Sequence, residues 1–73
     1  MLLLPNESER RARSAYCVSL RCAELYVLRD EERYLRASQS AYARAEFMYA
    51  LVRYPAARQR LRTLRDDARA LHA

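Results

Sequence analysis

The sequence predicts an all-α chain: an antiparallel helical hairpin spanning about 7–28 and 31–53, with a shorter third helix at about 56–71, forming a small three-helix bundle as a monomer or a dimer. Three observations predict it. Apolar and small residues recur at steps of three and four in three separate segments: Ala12, Tyr16, Ser19, Ala23 and Tyr26, then Tyr34, Ser38, Ala41, Ala45, Met48 and Val52, then Leu61, Leu64, Ala68 and Leu71. Glycine is absent, so two-residue hairpin turns lack the residue that most readily takes positive φ. Alanine, leucine, arginine and glutamate dominate, and all are strong helix formers.

The 73 residues make a single domain, 1–73. A chain of this size buries only about 60% of the surface its unfolded form exposes, so its stability margin is thin and a partner or a second copy is expected.

Asn6 is placed to cap the first helix, with Glu9 three residues on in the reciprocal position and Glu7 in the first turn. Ala12, Ala15, Tyr16, Ser19, Leu20, Cys22, Ala23, Tyr26 and Val27 cover one broad face. Val18 and Leu25 fall outside it on a second strip, so the helix either lies between two neighbours or exposes a contact surface. Asp30 is the next start signal, followed by Glu31 and Glu32 in the first turn, and the short connection folds the second helix back beside the first. A helix uninterrupted through this region is the alternative, and it would bury its stripes only against another chain.

The second helix alternates bulky and small residues, with Tyr34 and Met48 beside Ser38, Ala41 and Ala45. The first has the same character, which permits axes about 8 Å apart. Phe47, Leu51 and Tyr54 lie on the flank and are the expected receiving surface for the third helix. Pro55 marks the joint, because the residue before proline resists helical φ/ψ whereas proline suits the first helical position. Ala57, Leu61, Leu64, Ala68 and Leu71 then share one side.

No catalytic or metal site and no cofactor is expected. The lone His72 stands next to the end, where chains fray, and is expected on the surface. Cys17 and Cys22 lie about 140° apart around a helix, too divergent for a disulfide or shared metal, and read as free thiols of a reducing compartment. The acidic neighbours Glu31 with Glu32 and Asp66 with Asp67 point about 100° apart, so neither pair converges as acid and base. Met1 to Leu4 is too short for a signal peptide or a membrane span, which places the chain in the cytoplasm with no membrane partner. That apolar start is expected to pack across the end of the bundle or to hook a partner.

Two surfaces rise above this background. One is basic. The chain carries 14 basic residues, all arginine, against nine acidic ones, for a net charge of +5. Arg58, Arg62, Arg65 and Arg69 run along one strip of the third helix and form the candidate nucleic-acid contact, diluted by Asp66 and Asp67. The same arginine preference also follows from a GC-rich coding sequence. The other surface is apolar and aromatic. Six tyrosines are many for this length, and tyrosine suits interfaces because its ring buries area while its hydroxyl stays wet. Val18, Leu25, Tyr42, Phe47, Tyr49 and Leu51 are the candidate protein-binding residues.

The expected function is a small helical protein-binding module of the chaperone, adaptor or inhibitor kind, acting on a protein partner or as a homodimer. The alternative is a basic nucleic-acid-associated regulator. No small-molecule substrate is indicated.

Overall fold

The structure, a computed structural model, describes residues 6–72. It contains α1 (Glu7–Arg29), α2 (Glu32–Ala50) and α3 (Pro55–His72). This is the predicted three-helix bundle, with α1 and α2 tightly paired and a shorter third helix. Met1 to Leu4 lies outside the described residues. No described helix is long and apolar enough to cross a membrane.

Small side chains set the α1–α2 pairing. Ala12, Ala15 and Ser19 on α1 and Ser38, Ala41 and Ala45 on α2 are all buried, which lets the two backbones approach closely. The approach is near enough for the Ser38 hydroxyl to donate to the Ser19 carbonyl oxygen of the other helix at 2.8 Å. The Ser19 hydroxyl in turn donates to the Tyr16 carbonyl oxygen at 2.7 Å. Two hydroxyls thereby enter the seam without leaving an unmet hydrogen bond, which would cost about 1–3 kcal/mol each. Tyr16 and Leu61 are the largest side chains buried completely, and Met48, Val52, Ala57 and Ala68 complete the core around them.

The α1–α2 turn corrects one expectation. Asp30 does not cap α2; it closes α1, at φ 53° and ψ 37°, with its backbone N–H donating to the Tyr26 carbonyl oxygen at 2.8 Å. Glu31, in extended conformation, precedes α2 instead. Aspartate tolerates the left-handed region better than most residues, and without glycine in the chain it takes the position that glycine usually holds. Asp30→Gly is therefore expected to raise stability, by at most about 1 kcal/mol because glycine also loosens the unfolded chain. Thermal denaturation checks this, and a lowered Tm would contradict it.

The capping expectation at the other end is corrected too. Asn6 makes no side-chain capping bond, and Glu9 reaches away from the helix start to arginines, as described below. Helix α2 ends at Ala50, three residues earlier than expected. Tyr54 must leave helical φ/ψ ahead of Pro55, and the Arg58 side chain donates from Nε to the Val52 carbonyl oxygen at 2.8 Å, meeting an acceptor that the broken helix releases.

Helix α3 runs parallel to α1. Arg60 near its start bonds Glu9 near the start of α1, and His72 at its end meets Ser38 beside Ser19. It packs on α1 more than on α2. The Cα envelope measures 38 × 26 × 15 Å. A thickness of 15 Å corresponds to two helix layers, since axes sit about 8–10 Å apart and each Cα cylinder is about 4.6 Å across.

Candidate interaction surface

The hairpin has two sides, and α3 covers one of them. On that side its arginines meet carboxylates. Arg60 binds Glu9 in a bidentate fork, Nε donating to Oε2 at 2.8 Å and Nη2 to Oε1 at 2.7 Å, while Arg13 donates to the same Oε2 at 2.9 Å. Arg65 forms a second fork on Glu46, with both bonds at 3.0 Å, and the buried Tyr16 hydroxyl donates to Glu46 Oε1 at 2.6 Å. One carboxylate on α2 thus joins a core tyrosine of α1 to an arginine of α3.

These contacts move the proton affinities. The Arg60 hydrogen bonds outweigh the burial of Glu9 and hold its carboxyl down to about 2. Hydrogen bonding from Arg65 likewise lowers Glu46, and burial together with the Glu46 carboxylate pushes the Tyr16 phenol upward. The sign for stability follows. A folded-state value below the unfolded one favours the folded chain wherever the carboxylate is ionised, so the Glu9 contribution is complete above about pH 4.5 and fades as pH falls toward about 2. Urea midpoints measured across that window are expected to fall more steeply for the native chain than for Glu9→Gln. Parallel pH profiles would contradict the assignment.

His72 is not the free surface residue its position suggests. Its ring stacks on Tyr42 with centroids 4.6 Å apart and planes 5° from parallel. Nδ1 lies 2.8 Å from the Ala68 carbonyl oxygen, and Nε2 lies 2.6 Å from the Ser38 hydroxyl. These contacts fasten the end of α3 to α2.

The opposite side of the hairpin is open. On α1, steps of three and four lead through Arg11, Ser14, Val18, Cys22, Leu25 and Arg29, and on α2 through Arg36, Ser40, Arg44, Phe47 and Leu51. Between them lies a groove of about 310 Å³ lined by Arg11, Ser14, Ala15, Val18, Arg44 and Met48. Its floor is core, Ala15 and Met48. Its walls are Arg11, Ser14, Val18 and Arg44; Val18 is 42% exposed, and Leu51 and Phe47, 45% and 67% exposed, stand further along the α2 stripe outside the groove lining. Leu25 is half-buried.

Phe47, Leu51 and Tyr54 therefore do not receive α3, contrary to the sequence expectation; all three are exposed. The side that α3 takes is the one where Leu61, Ala57 and Ala68 join the core around Tyr16 and where Arg60 and Arg65 form bidentate pairs with Glu9 and Glu46. Leu71, expected on the packed face of α3, is exposed and lines an open cavity of about 600 Å³ with Tyr26, Val27, Tyr42 and His72 at the far end of the α3 side.

Of the six sequence-predicted protein-binding residues, the structure brings Val18, Leu25, Phe47 and Leu51 to the open side. Tyr42 and Tyr49 lie on the α3 side and are half-buried. Tyr42 is stacked on His72, and Tyr49 carries the Arg65 and Arg58 guanidinium groups at 4.3 and 5.0 Å from its ring centroid. Of the four strip arginines, Arg58 and Arg65 are engaged internally, whereas Arg62 and Arg69 are exposed. Sequence reasoning missed Glu46, the residue to which α1 and α3 are both tied. Cys17 is exposed and Cys22 half-buried, both as free thiols. Among the described residues no three His, Cys, Asp or Glu side chains gather to hold a metal ion.

Comparison with known proteins found no matching family model, no similar curated protein and no similar solved structure.

Proposed function

We propose that this chain is a small helical protein-binding module, of the adaptor, chaperone or inhibitor kind, which takes a helix of a partner protein into the open side of the α1–α2 hairpin. One observation carries the reading. Val18 is held exposed beside a groove whose floor is the hydrophobic core, with Phe47 and Leu51 exposed on the same side of the hairpin, while α3 packs over the Tyr16 and Glu46 part of the other side. Two packed helices with a third on one side leave the position of a fourth vacant, and an amphipathic helix is the element that fits between two helix ridges.

The nucleic-acid alternative has less support. Arg58 and Arg65 are engaged internally, which leaves Arg62 and Arg69, both exposed, as the cations of the strip that hold no carboxylate or carbonyl of the chain among the described residues. Two phosphate contacts give a shallow salt dependence, with a slope of about −2 on logarithmic axes. Steep loss of duplex binding with salt would favour that alternative.

A photo-crosslinking side chain placed at Phe47, with a control at the exposed Thr63 of α3, tests the proposal in native cells. A discrete heavier adduct from position 47 and none from 63 is the expected result. Equal adducts from both positions, or none from 47, would contradict it.

A further inference from the structure

We infer that the helix this groove accepts is acidic, with carboxylates flanking an apolar stripe of about five turns; the inference rests on the binding-module reading above. The argument is one of charge. The two open stripes carry four arginines: Arg11 and Arg29 on α1, Arg36 and Arg44 on α2. The carboxylates on these stripes are Glu7, bonded to Arg11 at 2.9 Å and to Arg10 at 3.6 Å, and Glu32, one turn before Arg36 at the start of α2. Arg44 is exposed and lines the groove beside the Met48 floor. On the other side of the hairpin, by contrast, the arginines of α3 meet Glu9 and Glu46 in bidentate pairs. The chain therefore pairs its arginines with carboxylates where its own third helix docks, and leaves an excess of arginine, four against Glu7 and Glu32, along the stripes where no helix of its own docks.

The same asymmetry argues against a second copy as the occupant. A two-fold dimer sets identical patches against each other, so the arginine rim of one copy would face the arginine rim of the next. An acidic helix meets that rim with opposite charge instead, and charge complementarity of this kind sets both partner choice and association rate. Arg11 and Arg29 mark the two ends of the α1 stripe, about 27 Å apart at 1.5 Å per residue, and a partner helix of about 18 residues spans them. A concave groove between two helices also suits a helix ridge better than a flat lipid surface.

The test uses the full chain and three synthetic 18-residue helical peptides with the same leucine stripe, flanked by glutamate, glutamine or lysine. Vesicles of phosphatidylserine and phosphatidylcholine serve as a further probe. The glutamate peptide is expected to bind at least tenfold more tightly than the glutamine peptide, and added salt is expected to reduce that ratio. Arg44→Glu is expected to abolish the preference or to shift it toward the lysine peptide. Arg36→Glu, on the same stripe, should act in the same direction, and helical circular dichroism confirms that both variants fold. Equal binding of the three peptides, or an unchanged ratio in both variants, overturns the acidic-helix inference while leaving the binding-module reading intact. So does self-association through this face, or vesicle binding without peptide binding. Absence of peptide binding together with absence of an adduct at position 47 would defeat both.

Discussion

Leu61→Ala is expected to destabilise the chain by about 3 kcal/mol, because large-to-small changes at fully buried leucines cost about 2–5 kcal/mol and the surroundings here are poorly able to collapse. Leu61 is completely buried in a core made of alanines, Ala12, Ala15, Ala45, Ala57 and Ala68, together with Tyr16, Met48 and Val52. Alanines have no rotamers with which to refill a cavity. A domain of this length has a total stability of about 4–11 kcal/mol at the usual value per residue, so one methyl cluster represents a large share of it. The corresponding fall in Tm is about 12–24 °C. Leu61→Met keeps the volume and should cost less than about 1.5 kcal/mol. Urea denaturation of the three chains measures this order. A nearly neutral Leu61→Ala would mean that α3 does not dock through this residue.

The second large effect is expected at Glu46. Glu46→Ala removes the acceptor of the buried Tyr16 hydroxyl and both bonds of Arg65. A buried hydroxyl left without a partner costs about 1–3 kcal/mol. Loss of the ion pair adds less, because both its members are partly open to solvent. A total of about 2–3 kcal/mol is expected. Tyr16→Phe alone should cost about 1 kcal/mol, whereas in the Glu46→Ala background it removes the orphaned hydroxyl and should restore about 1–3 kcal/mol. A double-mutant cycle of urea midpoints checks the coupling. Additive effects would show that the Tyr16–Glu46 bond contributes nothing to the folded state.

These two residues also show what the sequence disclosed. Leu61 was legible, because it recurs with Leu64 and Ala68 at helical spacing and periodicity reports burial directly. The α1–α2 seam was legible for the same reason, since alanines and serines at steps of three and four mark a close helix contact by their size and spacing alone. Glu46 was not. It looks like a solvated residue beside an apolar face, and its partners Tyr16 and Arg65 are 30 and 19 residues away in the chain. The side chosen by α3 was missed on the same account. Phe47, Leu51 and Tyr54 read as an apolar flank at helical spacing, whereas the fit of Arg60 and Arg65 onto Glu9 and Glu46 on the tyrosine side joins residues far apart in the chain. His72 and Asp30 were missed for local reasons. A stacked ring at a helix end and an aspartate with positive φ depend on backbone geometry that residue type alone does not specify.

Both the proposed function and the charge argument depend on α3 covering one side of the hairpin and leaving the other open. The nuclear Overhauser spectrum of the isolated chain tests that most directly. The account predicts cross-peaks from Leu61 and Leu64 of α3 to the Tyr16 side of the hairpin, and none from Val18, Phe47 or Leu51 to any α3 proton. Cross-peaks between the methyls of Val18 or Leu51 and those of Leu61 or Leu64 would place α3 in the groove and contradict the account.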